Sequence, residues 1–299
     1  MKGIILAGGH GLRLYPQTLA ISKQIIPIFD KPMIYYPLSV LMMADIRDIL
    51  VISSPDHIDL YRRLFGDGSA LGMRFDYAVQ PAPEGVAQAF LIGESFIGND
   101  PCALIFGDNF FYGSSLSELV ERAAQHREGG LVFACYVKEP ERYGVVEFDE
   151  RQRAVNIEEK PRHPRSNYAV TGMYFYDNEV VSIAKTLRPS GRGELEITDV
   201  NNIYLRRGML KVERFDEGIV WMDTGTPESL LEASNFVQAV EHRQGLKIGC
   251  VEEIAYRKGF IDRDQVLKAG NLVEDNPYCE YLRRLAGPGG PGDPGDPDE

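Results

Sequence analysis

Short apolar runs and longer amphipathic segments alternate along the first half of the chain. The short runs are rich in Val, Ile and Leu, which is typical of strands buried on both faces of a parallel sheet. This pattern predicts strands at 2–7, 48–53, 73–79 and 102–107, and helices at 32–45, 57–65, 85–97 and 115–126. Asp56, and Ser114 or Ser115, are the predicted N-caps of two of these helices. The alternation predicts an α/β fold class, with a Rossmann-like, mostly parallel central sheet flanked by helices.

From about residue 130 the pattern changes to short strands separated by turns. The predicted strands are 131–137, 143–149, 154–160, 169–177 and 209–215, with a helix over 196–208. These runs predict a mixed or antiparallel extension of the sheet, and Gly208 is the expected stop of the helix. A longer helix is predicted over 226–245, with Thr226 as N-cap and Pro227 at its first position.

The composition fits a globular protein of one large domain, alone or with a small appendage. Of 299 residues, 44% are hydrophobic and 25% are charged, so the chain can bury a sizeable core. Short helical segments are expected after Gly245, and the Gly, Pro and acidic residues of 287–299 predict a disordered tail. No apolar run reaches the length of a membrane span, so no membrane partner is expected.

Charge and cysteine content narrow the possible partners. The net charge of −12 argues against a nucleic-acid partner, because non-specific binding of nucleic acid depends on clustered lysine and arginine. The cysteines have neither CxxC nor metal-ligand spacing, so we expect reduced packing residues in a cytoplasmic protein. They are Cys102, Cys135, Cys250 and Cys279.

The first predicted strand ends in a glycine-rich stretch, GIILAGGHGLRLYP (3–16). It is not a P-loop, because Leu12 and Arg13 follow the last glycine in place of Lys and Ser or Thr. It is not a dinucleotide fingerprint, because the third glycine would fall at Leu14. A strand end with bare backbone N–H groups still suits an anion. Since GDN (107–109) also follows a parallel strand, both stretches are expected to face one site.

The polar residues near these strand ends allow two interpretations each when taken alone. Arg13 and Lys23 can neutralise phosphates, or they can be ordinary surface charges. Asp108 can be a metal ligand or a turn cap. By itself Gln80 is typical of a polar loop, and EEKP (158–161) is typical of a solvated charge run.

Many segments of the chain resemble the sugar-nucleotide pyrophosphorylases. LAGGHGLRLYPQT and SKQIIPIFDKPMIYYPLS resemble the N-terminal signature of that family, and other segments match in family order. They are QPAPEGVAQAF, GDNFFYG, PERYGVVEFD, IEEKP, YAVTGMYFYD, GRGELEITDVNN and WMDTGTPESLLEA. The resemblance covers residues 1–286 and implies the nucleotide-diphospho-sugar transferase fold. It implies that dTTP and α-D-glucose 1-phosphate give dTDP-glucose and pyrophosphate, with Mg²⁺ assisting in-line attack on the α-phosphorus.

The resemblance also implies a division of the chain into parts. Residues 1–245 would form the catalytic domain, with a nucleotide half over about 1–130 and a sugar-phosphate part over about 131–225. The helical segment 246–286 would serve oligomerisation or regulation, and a homotetramer is expected.

Residue roles follow from the resemblance, position by position. The expected catalytic residues are Arg13, Lys23 and Asp108, and the expected Mg²⁺ ligands are Asp108 and Asp223. The expected nucleotide-binding residues are Gly8, Gly11, Leu12, Arg13, Gln24, Gln80, Gly85 and Asp108. The expected sugar-phosphate-binding residues are Tyr143, Gly144, Glu159, Lys160 and Val170. A sugar phosphate is already a nucleophile, so the main task is to bring two polyanions together.

The chain departs from the family pattern at a few positions. The family loop is usually GGxGTRL, but here Leu12 replaces the threonine, and His10 stands where a small residue is common. If the threonine hydroxyl contacts phosphate, its loss costs about 1.5–3 kcal/mol, and if only the backbone does, the cost is small. Pro227 replaces a frequent histidine and is expected to be a neutral substitution at a helix start.

The sequence is also compatible with other functions. The chain could use UTP or another sugar phosphate, or it could be a weakened homologue that only binds a sugar nucleotide. The retained charges of Arg13, Lys23, Asp108 and Asp223 count against the weakened homologue. A nicotinamide dehydrogenase is disfavoured, because the glycine fingerprint is incomplete.

Overall fold

Strands and short helices follow one another along the chain. The computed structural model describes residues 1–9 and 11–287. Its strands are β1 (Lys2–Leu6), β2 (Pro27–Ile28), β3 (Lys31–Pro32), β4 (Asp48–Ser53), β5 (Arg74–Val79), β6 (Cys102–Phe106), β7 (Asn109–Tyr112), β8 (Gly130–Tyr136), β9 (Gly144–Phe148), β10 (Ala154–Glu159), β11 (Tyr168–Tyr176), β12 (Leu210–Arg214) and β13 (Val220–Asp223). Its α-helices are α1 (Tyr35–Met43), α2 (Ile58–Phe65), α3 (Gln88–Ile92), α4 (Glu94–Ile97), α5 (Leu116–Ala123), α6 (Glu179–Thr186), α7 (Ile197–Arg206), α8 (Pro227–Gln244), α9 (Val251–Arg257), α10 (Arg263–Gly270) and α11 (Pro277–Leu285).

One mixed sheet of nine strands lies at the centre of the molecule. β6, β1, β4 and β5 lie side by side and run parallel, which confirms the predicted parallel sheet. Their order is that of a doubly wound fold, in which the strand order switches between β1 and β6. Ligands of such sheets bind at the switch point, outside the carboxyl ends of the strands. The residues that follow β1 and β6 therefore face one crevice.

The other strands extend this sheet beyond β6. β11 runs antiparallel to β6, β8 and β9, and β10 runs antiparallel to β9. β12 runs parallel to β8. The predicted mixed extension is therefore confirmed. The pairing of β9 with β10 places Gly144 opposite Glu159, so two predicted sugar-site residues lie side by side.

Helices cover both faces of the sheet. Ile4 and Ile5 are neighbours on β1 and both fully buried, because successive side chains of a strand point to opposite faces. Ile5 belongs to the core that includes α1, α5 and α9, and Ile4 belongs to the core that includes α3, α6 and α7. All four cysteines are free thiols, and three of them are buried, in agreement with a packing role. Among the described residues, no helix has both the length and the apolar character of a membrane span.

Two small sheets were not apparent from the sequence pattern. β7 pairs with β13 in antiparallel fashion, with Asn109 opposite Asp223, and β2 pairs with β3. These strands have only two to four residues each, which is too short for a period of alternation to emerge. The pairing of β7 with β13 matters most, because it joins two segments that are far apart in the chain.

Two predicted helices have different bounds in the structure. The helix expected over 32–45 begins at Tyr35, because the preceding residues form the β2–β3 hairpin. The helix expected over 85–97 is divided into α3 and α4. Its first residues pair with a distant segment instead, with the Ala87 N–H donating to the Leu195 carbonyl at 3.1 Å. A tertiary contact therefore overrides the local helical pattern here.

The side-chain caps predicted for α2 and α5 are wrong. His57, and not Asp56, occupies the N-cap position of α2, and no side chain caps that helix. Ser115 occupies the N-cap position of α5, but its hydroxyl makes no capping bond. The cap predicted for α8 is confirmed, since Thr226 Oγ1 accepts a hydrogen bond from the Ser229 N–H at 3.2 Å.

The observed helix ends and the C-terminal helices agree better with the predictions made from the sequence. Pro227 is the first residue of α8, as predicted, and Gly245 ends the helix with a φ of 68°. Gly208 follows α7 with a φ of 69°, where the predicted stop lies. The short helices expected after Gly245 are α9, α10 and α11. His10 and residues 288–299, which include most of the predicted disordered tail, lie outside the described residues.

Candidate active site

Two adjoining cavities lie at the carboxyl ends of β1 and β6, with volumes of about 220 and 510 Å³. They share four lining residues, Val86, Phe106, Asp108 and Glu194, so they form one crevice. Among the predicted site residues, the smaller cavity is lined by Gly8, Lys23, Gln24, Gln80, Gly85 and Asp108. The larger cavity is lined by Arg13, Asp108, Tyr143, Gly144, Glu159, Lys160, Val170 and Asp223.

Close backbone approaches shape the smaller cavity. A Cβ atom on Gly8 would lie 2.7 Å from Gln80 Oε1, so any other residue at position 8 would displace that amide. Gly85 has a φ of 110°, and a Cβ there would lie 2.4 Å from the backbone of Leu195. Gln80 is buried, and its Nε2 donates to Gln88 Oε1 at 2.6 Å. The amide of Gln80 is therefore held in one orientation.

Gln24 connects the glycine loop to the neighbouring buried side chains by hydrogen bonds. Its side chain is buried, and its Oε1 accepts a hydrogen bond from Ser22 Oγ at 2.6 Å. The hydroxyl of Tyr61 donates to the same oxygen at 3.3 Å, and Gln24 Nε2 reaches the Gly8 carbonyl at 3.4 Å. These contacts fix the amide while it lines the cavity.

Two aspartates and two cations meet where the cavities join. Asp108 follows β6 and Asp223 ends β13, and the Thr224 hydroxyl donates to the Asp108 carbonyl at 2.7 Å. Lys23 Nζ forms an ion pair with Asp108 Oδ2. Arg13 Nη2 lies 3.4 Å from Asp223 Oδ2, so Arg13 is held at the crevice although half of its side chain is exposed. Residues from four separate segments thus converge at one point.

The two carboxyl groups have opposite pKa shifts. Burial acts to raise the pKa of Asp108, but the neighbouring Lys23 ammonium outweighs it and lowers that pKa below its usual range. Burial raises the pKa of Asp223, and the charge of Asp108 raises it further against the effect of Arg13. Two carboxylates this close hold their charge best with several cations beside them.

The oxygen donors of Asp108 and Asp223 are of the kind that Mg²⁺ prefers. Within residues 1–9 and 11–287, no group of three or more His, Cys, Asp or Glu side chains is arranged to hold a metal ion. Mg²⁺ usually binds through one or two carboxylates and takes its other ligands from substrate phosphates and water. The pair of aspartates fits that pattern.

The sugar-site residues form one wall of the larger cavity. Glu159 is mostly buried and accepts a hydrogen bond from Thr198 Oγ1 at 2.6 Å, so EEKP is not simply a solvated charge run. The Lys160 N–H donates to the Tyr143 carbonyl at 2.9 Å, and Lys160 has a φ of 47°. A Cβ on Gly144 would lie 3.1 Å from Thr198 Oγ1, which leaves little room for any other residue.

Gly11 and Leu12 line neither of the two cavities. Gly11 has a φ of 58°, and its carbonyl accepts a hydrogen bond from Thr18 Oγ1 at 3.0 Å. The Leu12 side chain is 77% exposed. In this conformation both residues shape the turn that carries Arg13.

Several residues that line the larger cavity had no predicted role, and four of them are Asn109, Arg142, Arg192 and Trp221. Asn109 Oδ1 accepts hydrogen bonds from Trp221 Nε1 at 2.6 Å and from the Gly172 N–H at 3.2 Å. Arg192 forms ion pairs with Glu196, Glu194 and Glu159. All four lie in segments that carry the family resemblance, which was the available signal.

Comparisons with known proteins give a consistent result. The family model described as nucleotidyl transferase matches residues 2–240. The chain is 56% identical over 285 residues to a glucose-1-phosphate thymidylyltransferase of Neisseria meningitidis, covering 95% of this chain and 99% of that one. A crystal structure of a candidate glucose-1-phosphate thymidylyltransferase from Bacillus anthracis, in complex with a sucrose, has a TM-score of 0.73 and 44% identity, covering 79% of this chain and 94% of that one. A UDP-glucose pyrophosphorylase complexed with UDP-glucose has a TM-score of 0.70 and 27% identity, covering 80% and 98%.

Proposed function

The chain belongs to the nucleotidyl transferase family, and from that premise we propose that it condenses dTTP with α-D-glucose 1-phosphate. The products are dTDP-glucose and pyrophosphate. The sequence resemblance to this family is confirmed by the match over residues 2–240. The observation that carries the proposal is the crevice in which Arg13, Lys23, Asp108 and Asp223 converge beside the glycine loop.

Substrate positioning and charge control explain how such a crevice can act. An oxygen of the sugar phosphate attacks the α-phosphorus of dTTP, and the bond from that phosphorus to the bridging oxygen breaks. Pyrophosphate leaves with the bonding electrons, and no general base is needed because the attacking phosphate oxygen is already anionic. The barrier lies in bringing two polyanions together in line. Arg13 and Lys23 lower it by placing positive charge where the polyphosphate binds.

Asp108 and Asp223 would hold Mg²⁺ in this proposal, and the ion would neutralise phosphate charge when bound. In the structure each aspartate already has a cation as its partner. Binding of the metal and the triphosphate would therefore exchange ion partners, and Lys23 and Arg13 would turn from the carboxylates to phosphates.

The two cavities suit the two substrates. The fixed amide of Gln80 and the backbone at Gly85 support a thymine site in the smaller cavity. Glu159 and Lys160 support the sugar-phosphate site in the larger one, with a carboxylate for hydroxyls and an ammonium for phosphate. The likeness to a UDP-glucose pyrophosphorylase keeps UTP as the alternative nucleotide. A homologue that only binds sugar nucleotides is disfavoured, because none of the charged groups is missing.

The test measures pyrophosphate release from purified protein with Mg²⁺, dTTP and glucose 1-phosphate. Release is expected, together with a preference for dTTP when UTP competes. Asp108→Asn should abolish turnover, whereas Asp59→Asn, at an exposed position on α2, should not. Absence of pyrophosphate release by the native chain would refute the proposed reaction, and a preference for UTP would support the alternative.

Three further expectations stay predictions: the division of the chain at about 130, 225 and 245, the homotetramer, and the cytoplasmic location. We propose that the segment 246–286, which contains α9, α10 and α11, serves assembly or regulation. Light scattering on the purified protein measures the oligomeric state. A monomer would contradict the tetramer without affecting the proposed chemistry.

A further inference from the structure

Arg142 is a cavity-lining arginine to which the sequence assigned no role. It ends a short 3₁₀ turn, Pro140–Arg142, just before β9. Its side chain lines the larger cavity together with Arg13 and Asp223. The guanidinium lies 5.6 Å from the ring centre of Tyr143, which also lines that cavity. Arg142 is thus placed among the residues of the proposed site.

Arg142 differs from the other cations that line the cavity in the position of its ion-pair partner. Arg13 pairs with Asp223, Lys160 with Glu159, and Arg192 with three glutamates, and all of those carboxylates line the cavity. Arg142 pairs with Glu139 at 3.1 Å, and Glu139 is not among the lining residues. The Glu139 side chain is 65% exposed, so solvent screens this pair and it contributes little. Among the described residues, no carboxylate of the cavity lies within ion-pair distance of the Arg142 guanidinium.

The position of Arg142 favours the polyphosphate over the sugar. The pKa of the Tyr143 hydroxyl is raised by burial and by Asp223, while Arg142 and Arg13 both act against that rise. The Arg142 guanidinium lies over the ring of Tyr143, and Arg13, which pairs with Asp223, lines the same cavity as both residues. Lys160 and Arg192 already provide positive charge beside Glu159. A planar guanidinium can bind two phosphate oxygens at once, which suits a terminal phosphate.

We propose that Arg142 is a further binding residue of this site and contacts the terminal phosphates of the nucleoside triphosphate, which leave as pyrophosphate. This inference rests on the proposed function for the identity of its ligand. Arg142 and Arg13, which belong to two distant segments of the chain, would then both bind the leaving group. Glu139 would release Arg142 at little cost when the polyphosphate binds.

The experiment compares Arg142→Gln, Arg142→Lys and two controls. Arg153→Gln is the matched surface control, because Arg153 pairs with Asp149 at 2.7 Å and lines neither cavity. Glu139→Gln removes the partner of Arg142 and leaves the arginine in place. Binding of pyrophosphate is measured by calorimetry without turnover, and the KM values for dTTP and glucose 1-phosphate are measured in the forward reaction.

Arg142→Gln should weaken pyrophosphate binding and raise the KM for dTTP by about tenfold or more, as expected for one hydrogen bond between charged groups. The KM for glucose 1-phosphate should change by less than about twofold, and Arg142→Lys should recover part of the loss. Arg153→Gln and Glu139→Gln should both behave like the native chain. Equal thermal midpoints would show that the variants are folded.

Three results would overturn the inference. One is unchanged pyrophosphate binding by Arg142→Gln, and another is a rise confined to the KM for glucose 1-phosphate. The third is a Glu139→Gln variant that reproduces the loss, which would assign Arg142 a structural role. If the native chain released no pyrophosphate in turnover, the proposed function would fail, while the calorimetric titration would still decide for or against Arg142.

Discussion

Lys23 pairs with Asp108, and Arg13 pairs with Asp223. Because the two cations act with different strength, the pKa values of the two aspartates are shifted in opposite directions. The Lys23 side chain and Asp108 are both largely buried, so their attraction is weakly screened. Arg13 is half exposed and lies further from Asp223, which leaves burial and the neighbouring charge to raise the pKa of Asp223. At the scale of single residues, the charge balance of the crevice therefore depends most on Lys23.

Replacing Lys23 by Gln should destabilise the metal-free protein in a pH-dependent way. The lowered pKa of Asp108 means that its ion pair stabilises the fold above the usual aspartate pKa and that this contribution is lost as pH falls through the lowered value. Without Lys23 the buried carboxylate has no cation beside it. The free energy of unfolding at pH 7 should fall by about 1–3 kcal/mol.

Thermal and urea unfolding at pH 7 and at about pH 4 measure this difference, which should shrink at the lower pH because Asp108 becomes protonated in the variant. The double variant Lys23→Gln with Asp108→Asn should regain most of the loss. A destabilisation that is equal at both pH values would contradict the assigned ion pair.

Local sequence decided the start of some helices and tertiary contacts decided others. α8 begins with a capping box at Thr226 and a proline at its first position, and both features lie within four residues of each other. α2 and α5 have polar residues at the expected places but no capping bond. Their packed faces, which belong to the same core as α1, hold them in place instead.

The contribution of the α8 cap to the free energy of unfolding can be measured by comparison with α2, which has no side-chain cap. Thr226→Ala removes the acceptor of the Ser229 N–H and should lower the free energy of unfolding by about 0.5–2 kcal/mol. Asp56→Ala, at the start of α2, should change it by less than about 0.5 kcal/mol, because Asp56 does not cap. Urea denaturation of both variants gives the comparison. An equal cost at both sites would show that Asp56 caps α2 after all.

A buried ion cluster ties distant parts of the whole molecule together. Lys31 on β3 pairs with Glu241 near the end of α8, at 3.2 Å, and both side chains are almost fully buried. Lys247 also pairs with Glu241, at 2.8 Å, and Asp30 pairs with both lysines. The cluster joins the segment after the glycine loop to the start of the C-terminal helices. Breaking it should therefore affect the stability of the whole molecule.

Glu241→Gln tests this connection. It removes one of the two negative charges beside Lys31 and Lys247 and should lower the free energy of unfolding by about 3 kcal/mol, as for other broken buried pairs. Arg62→Gln is the control, because its pair with Asp59 is exposed and worth less than about 1 kcal/mol. Similar urea midpoints for the two variants would contradict a stabilising role of the cluster.

The sequence by itself determined the class of fold and most members of the site. Alternating apolar runs encode burial over a few neighbouring residues, so they predicted the parallel sheet and the crevice at its strand ends. Family motifs then supplied the identities of the charged residues. Of the predicted site residues, all but Gly11 and Leu12 line one of the two cavities.

Only the tertiary structure decided which of these residues touch. The four-residue strands β7 and β13 bring Asp223 next to Asp108, and neither strand is long enough to leave a pattern in the sequence. The contact between Ala87 and Leu195 delays the start of the helix expected over 85–97. Arg142 stands out only because its ion-pair partner, Glu139, lies outside the cavity. Contacts between distant segments depend on how whole elements pack, and a local pattern does not record that packing.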